Sequence, residues 1–348
     1  MFQSVTLRNY RSYADASFEF GPSVSIIIGK NASGKTNLLE SLYMLCTGSS
    51  FRVSDKDIIM TGKEWARLDG VCDAVLRTIK LRRHEPRVTK EFELHGSMHR
   101  RLSFEQTLPV VLFEPEDTRL VGGSPKRRRD YLDTVLSSTN PTYKRALASY
   151  TKALKQRNNA LKKSHTTPNL FAWDVVLAQY GEIIVAERQI LIERINQEIS
   201  AIYSHIADRP SAVVLTYSTT ATSSYASRLL HGLERSRERD TRLGFTSLGP
   251  HRDDFAMTIN GQESHQHASR GEVRTITLGL KVIEMILLEK TRGQKPILLL
   301  DDVFSELDGR RRRTLVDYTT QHQTIITTTD ADIVDKSFSS NAALITVD

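Results

Sequence analysis

The chain has 348 residues, 39% hydrophobic and 26% charged, enough for one large domain or two ordinary ones with an ample core. It holds no run of about 18 apolar residues to span a bilayer, its start (MFQSVTLRNYRSY) lacks a secretory-signal pattern, and Cys46 and Cys72 form no CxxC for a zinc site or disulfide framework. A cytoplasmic protein is expected, and the net charge of +7 favours polyanionic partners, nucleic acid or an anionic membrane face. Three strands are predicted across residues 2–28, the last running straight into Gly29. A helix follows Thr36, with Leu38, Leu39, Leu42 and Leu45 on one face. Strand-like segments fill residues 66–113, among them 91–95 and 110–113, and Ser124-Pro125 sets up a helix start.

Beyond that point the pattern becomes helical. Tyr143, Leu147, Tyr150, Leu154 and Leu161 form an apolar stripe. It resumes after a breaker at residues 162–169 with Trp173, Leu177, Tyr180, Ile184, Leu191, Ile195, Ile199, Ile202 and Ile206. Two long helices joined by a short turn predict an antiparallel arm whose stripe is packing core. A polar stretch at 218–224 and a charged helix through Arg239 follow. Residues 255–259 alternate like a strand and end in an Asn260-Gly261 turn. A helix from Gly271 carries Ile276, Leu280, Ile283 and Leu287, and Pro296 opens a buried strand that ends at Asp301.

Two local patterns carry chemistry. Gly29, Lys30, Asn31, Ala32, Ser33, Gly34, Lys35 and Thr36 match GxxxxGK[ST], between a predicted strand and a predicted helix. Backbone N–H groups of such a loop wrap phosphates, the lysine meets the β/γ-phosphates and the hydroxyl takes a Mg²⁺ position. Asp301 ends a strand of aliphatics, where a carboxylate reaches the metal, and Asp302 would orient or deprotonate an attacking water or support the metal. ATP and Mg²⁺ are the expected cofactors. Lys35 and Asp301 are 266 residues apart, so both chain ends must fold together. The expected fold is α/β: an ATPase head from residues 1–124 and 241–348, with an inserted antiparallel helical arm at 125–240.

Ser269-Arg270-Gly271-Glu272 lies 32 residues before Asp301. By itself it reads as a helix cap; in this position it resembles the signature motif of ABC-type ATPases, and Ser305-Glu-Leu-Asp308 resembles their D-loop. In that class Ser269, Arg270, Gly271 and Asp308 would meet the nucleotide of a second subunit. The resemblance then narrows. Residues 29–40, Ser50-Phe-Arg52, Phe113-Glu-Pro-Glu-Asp117, Gly123-Ser-Pro with Arg128-Arg129-Asp130-Tyr-Leu-Asp133, Leu248-Gly-Pro-His-Arg-Asp-Asp-Phe255, Ser269–Glu272 and residues 299–308 are together similar to the RecF family of bacterial recombination proteins.

That resemblance implies an ABC/SMC-like head, a slow DNA-stimulated ATPase used as a timing switch, and an ATP-dependent homodimer. It also implies binding of single- and double-stranded DNA, and work with RecR and RecO in loading RecA at single-strand gaps. Ala32 stands where the family usually has glycine, a strained place if φ is positive. Glu272 stands where the family often has Gln. The switch histidine of ABC ATPases is missing from residues 325–330, with Thr328 as a stand-in. Lys126, Arg127, Arg128 and Arg129 are the candidate DNA contacts, with a solvated helix end as the alternative; Arg82 and Arg83 are weaker ones. His251-Arg252-Asp253 reads either as a nucleotide-sensing turn or as a buried polar network. An SMC-like structural ATPase, or another ABC-class ATPase not dedicated to gap repair, is the competing reading.

Overall fold

The computed structural model describes residues 1–163, 170–219, 224–329 and 342–347, and the turn expected at 164–169 lies outside them. The chain forms two compact units. The first joins Met1–Asp117 to Glu284–Asp348, and the second is Thr118–Ile283.

The first unit is built on two sheets. One is antiparallel, in the order β2 (Tyr13–Glu19), β1 (Phe2–Tyr10), β4 (Trp65–Cys72), β5 (Val75–His84), β6 (Arg87–Leu94), β7 (Ser97–His99). Its strands alternate, with Ala66, Leu68 and Cys72 of β4 buried between outward-facing neighbours. The other is parallel, in the order β14 (Ala343–Thr346), β3 (Val24–Ile28), β13 (Thr324–Thr328), β12 (Ile297–Asp301), β8 (Val110–Phe113). Its inner strands are almost continuously buried, as a sheet covered on both faces requires. Helix α1 (Lys35–Thr47) buries Leu38, Leu39, Leu42 and Leu45 in a core shared with Ile79 and Leu81 on one side and Ile27 and Leu299 on the other. Short helices α2 (Asp55–Ile58) and α11 (Val303–Glu306) and the longer α12 (Gly309–Thr319) complete the unit.

The second unit starts with α3 (Arg119–Gly122) and α4 (Pro125–Thr139), whose first residue is the expected proline. Helices α5 (Pro141–Lys163) and α6 (Phe171–Ala207) follow. Arg157 of α5 meets Asp174 of α6, and Tyr143 meets Arg188, so one register falls as the other rises and the pair is antiparallel. Of the predicted stripe, Tyr143, Tyr150, Leu161, Leu177, Ile184, Leu191, Ile195, Ile199, Ile202 and Ile206 are buried, while Leu147, Leu154, Trp173 and Tyr180 are only partly covered.

Strand β9 (Val213–Ser218), helices α7 (Tyr225–Arg235) and α8 (Arg237–Leu243), strands β10 (Asp254–Ile259) and β11 (Gln262–Glu263), and α9 (Ser264–His267) lead to α10 (Arg270–Arg292), which continues into the first unit. Asn260 and Gly261 both have positive φ, 50° and 81°, which makes the two-residue β10–β11 turn that the Asn-Gly pair predicts. Because β10 pairs along its whole length with β9, residues 241–283 group with the arm rather than with the parallel sheet. The compact units therefore divide at 117/118 and 283/284, against expected domain limits at 124/125 and 240/241.

Candidate nucleotide site

The predicted loop joins β3 to α1, and Gly34 is the residue before the helix, at φ 105° and without a side-chain cap. The first backbone N–H groups of α1 are thus left for an anion. A Cβ on Gly34 would stand 2.9 Å from both Ser12 Oγ and the Tyr13 hydroxyl, so a larger residue would have to displace those side chains as well as adopt a strained φ. The Tyr13 hydroxyl donates to Gly34 O at 3.1 Å, and Asn37 Nδ2 to Ser12 Oγ at 3.0 Å. Lys35 Nζ donates to Gly29 O and Lys30 O, each at 2.8 Å, which holds the ammonium at the centre of the loop. Ser33 Oγ is buried with no hydrogen-bond partner among the described residues. Ala32 has φ 68°, the left-handed conformation that glycine would take without strain.

The residues after the loop brace it. Glu40 is fully buried and accepts from Arg11 Nε at 3.0 Å, from the Tyr10 hydroxyl at 3.2 Å and from Ser50. These contacts join the motif segments at 29–40 and 50–52.

The acidic strand reaches the loop as expected. Thr36 Oγ1 donates to Asp301 Oδ1 at 2.9 Å, and Thr327 Oγ1 donates to the same oxygen at 2.7 Å. Asp302 N donates to Thr327 O and Thr327 Oγ1, at 3.1 and 3.0 Å, with Asp302 at φ 50° as the cap of α11. Thr327, next to the switch-position candidate Thr328, is a residue that reading the sequence missed: its hydroxyl bonds Asp301. Its only sequence signal is its place on a strand parallel to β12, opposite Asp301. The donor set suits Mg²⁺, an oxygen-seeking ion that keeps several waters and phosphate ligands: one hydroxyl and one carboxylate converge, and no cluster of three His, Cys, Asp or Glu exists among the described residues. Asp308 caps α12, accepting from Arg311 N at 3.0 Å, and this bond holds its carboxyl below the usual range.

Ser269, Arg270 and Gly271 belong to the second unit, at the start of α10. Ser269 N and Ser269 Oγ both donate to Glu272 Oε2 at 2.9 Å, and Glu272 N donates back to Ser269 Oγ at 3.3 Å, a reciprocal capping box. Arg209 also pairs with Glu272. The Ser269 backbone bond is the main reason the Glu272 carboxyl titrates below its ordinary value.

Residues 1–347 match the model of the RecF/RecN/SMC N terminal domain. A "DNA replication and repair protein RecF" of Lachnoclostridium phytofermentans is 34% identical over 346 residues, covering 94% of this chain and 92% of the relative. One of Staphylococcus haemolyticus is 35% identical over 359 residues, covering 98% of this chain and 96% of that one. The chain belongs to the RecF family.

A solved structure described as the recombination mediator protein RecF-ATPrS in the RecFOR pathway superposes on this RecF-family chain with a TM-score of 0.87 at 29% identity, over 100% of this chain and 97% of the other. An Smc head bound to the C-winged helix domain of ScpA aligns at a TM-score of 0.52 and 14% identity, a likeness of fold alone. No helix among the described residues is long and apolar enough to cross a membrane.

The motif specific to the RecF resemblance, residues 248–255, is tied into the second unit. His251 Nδ1 lies 2.7 Å from the Tyr150 hydroxyl and Nε2 lies 3.0 Å from Thr246 O. Asp253 Oδ2 accepts from the Tyr217 hydroxyl at 3.0 Å. Asp254 forms a bidentate pair with Arg128, 2.7 Å at both oxygens, and Arg129 donates to Asp253 O at 2.9 Å. Of the basic cluster, then, Arg128 and Arg129 join α4 to the β10 turn. Lys126 is exposed and pairs with Asp130 at 2.6 Å, and Arg127 is partly exposed. Arg252 is exposed and lies over the Phe245 ring.

Burial pushes the His251 pKa down to about 4. A folded pKa below the unfolded value of about 6.5 means that the unfolded chain binds more protons between these limits, so stability rises with pH across that window. Acidification from pH 7 to 4 is expected to remove up to roughly 3 kcal/mol of stability through this one group. Burial disfavours the charged ring, while the hydrogen bonds fix the neutral tautomer: Nε2–H donates to Thr246 O and Nδ1 accepts from Tyr150. Urea unfolding from pH 4 to 8 checks this. A His251→Gln variant with the same pH slope as the wild type would reject it.

Proposed function

We propose that the chain is a recombination-mediator ATPase of DNA repair, binding ATP·Mg²⁺ and closing as a dimer on DNA. The observation that carries this reading is the 2.9 Å bond from Thr36 to Asp301, which unites a phosphate-binding loop with an acidic strand from the other end of the chain. Lys35 would hold the β/γ-phosphates, with Thr36 and Asp301 offering oxygens to the metal. The Mg²⁺ would neutralise phosphate charge. Asp302, one residue past the strand, would orient water. Full-length similarity to RecF proteins, including one described with ATPrS in the RecFOR pathway, supports the assignment to gap repair with RecR and RecO in the cytoplasm.

Ser269, Arg270, Gly271 and Asp308 are read as contacts to the nucleotide of a second copy. In the free chain the Ser269 hydroxyl and N–H are satisfied by Glu272, so engagement of a phosphate requires exchanging one anion for another. DNA phosphates would be met by Lys126 and Arg127, while Arg128 and Arg129 hold the turn at 248–255, giving affinity with little sequence preference.

Light scattering with and without ATP·Mg²⁺ and a gapped duplex tests the assignment. An ATP-dependent shift from monomer to dimer, strengthened by DNA, is expected. Ser269→Arg should keep nucleotide binding and lose the dimer. A chain that stays monomeric under every condition would reduce Ser269 to the helix cap of α10.

A further inference from the structure

The last described strand closes on the phosphate-binding loop. β14 runs parallel to β3 with Thr346 opposite Ile28, and Val347 N donates to Ile28 O at 2.8 Å. The next residue after Ile28 is Gly29. A Cβ built there would stand 2.2 Å from Val347 O and 2.5 Å from Ser33 Oγ, both inside any contact that real Cβ atoms make, and 3.2 Å from Val347 C. The nearest obstacle is backbone, and Val347 is 4% exposed, packed into the same core as Ile27, Leu38 and Leu39. Ser33 Oγ can turn away by rotating χ1, but the Val347 carbonyl cannot yield by rotating a bond.

Gly29 is therefore confined from two directions. On one side is the Val347 carbonyl, and its own carbonyl accepts from Lys35 Nζ. A shift of Val347 moves Ile28 O and Gly29, and with Gly29 moves one of the two oxygens that place the lysine ammonium. We propose that Val347 is a positioning residue of the nucleotide site, acting through its backbone on Gly29 and so on Lys35. The inference rests on the reading that this loop holds ATP. It adds that the backbone of β14, beside the loop's own Ser33, demands glycine at position 29 independently of the phosphates.

The test is a coupling measurement with a fluorescent ATP analogue, each variant first checked for native circular dichroism. In the full chain, Gly29→Ala is expected to weaken binding by at least about tenfold, since misplacement of about 1 Å costs up to about 10²-fold. In a chain that stops after Thr346, the same substitution is expected to cost no more than about twofold beyond the truncation itself, because the backbone clash is gone and the remaining obstacle, Ser33 Oγ, can turn away about χ1. Val347→Pro, which has no N–H to give Ile28, should weaken binding by about tenfold or more. Val347→Ala keeps the backbone bond and should stay within about twofold of wild type, a split that loss of core packing alone would not produce. Equal costs of Gly29→Ala in both chain lengths, or equal affinities of the proline variant and the wild type, would overturn the inference alone. A wild type that binds no nucleotide would remove the ATP reading, and this inference with it.

Discussion

Lys35→Met is expected to weaken ATP binding by roughly 10²–10³-fold, the loss of about two charge-assisted hydrogen bonds to phosphate oxygens. In the free chain the ammonium is held by Gly29 O and Lys30 O and is almost fully withdrawn from solvent. Phosphate oxygens arriving there meet a charge that is already in place, so little reorganisation offsets the gain. Methionine matches the length of the lysine stem and removes only the charge and the donors, which separates electrostatics from packing. Titration of a fluorescent ATP analogue measures the change. Wild-type affinity in the variant would sink the phosphate-loop assignment, and with it the metal site that Thr36 and Asp301 are proposed to share.

The second large effect concerns stability and sits in the helical arm. Arg157 is fully buried, with Nε 2.7 Å from Asp174 Oδ1 and Nη1 2.8 Å from Asp240 Oδ2 and 2.9 Å from Thr246 Oγ1. Both carboxylates are buried as well, and Arg237 approaches Asp174 only to 3.8 Å. Arg157→Ala would leave two buried carboxylates with most of their compensation gone, a situation that costs about 3–5 kcal/mol. Urea unfolding followed by circular dichroism should place the arm's transition at a much lower midpoint. Replacing Arg157, Asp174 and Asp240 together by apolar residues should recover much of that loss, because the penalty comes from unpaired charge. A single variant with an unchanged midpoint would contradict this account.

Arg157 and Arg188 are instructive about reading such a chain. Both sit in the apolar stripe at helical spacing: Arg157 is seven residues after Tyr150 and four before Leu161, and Arg188 is four after Ile184 and three before Leu191. The stripe as read from hydrophobicity skips over them, leaving gaps of seven. A gap of that length filled by an arginine was the available signal. Their partners were not available, since Arg188 draws on Asp133 at 2.7 Å and Pro250 O at 2.8 Å, residues far away in the sequence. The basic cluster at 126–129 shows the same blind spot. Four adjacent cations look alike in sequence, yet Arg128 is committed to Asp254, 126 residues further on.

What the sequence determined by itself was whatever a short run of residues can enforce. GxxxxGKT between a strand and a helix, an aliphatic run ending in Asp301, the Asn260-Gly261 turn and the paired helical stripes are local patterns whose physics is complete within about ten residues. What only the tertiary structure decided were pairings across long separations. Thr327 comes to Asp301 through strand register, Arg157 to Asp240 through helix packing, and Val347 to Gly29 because β14 lies beside β3. Each of these is a buried polar or backbone group whose partner depends on which elements become neighbours, and that choice belongs to the whole core.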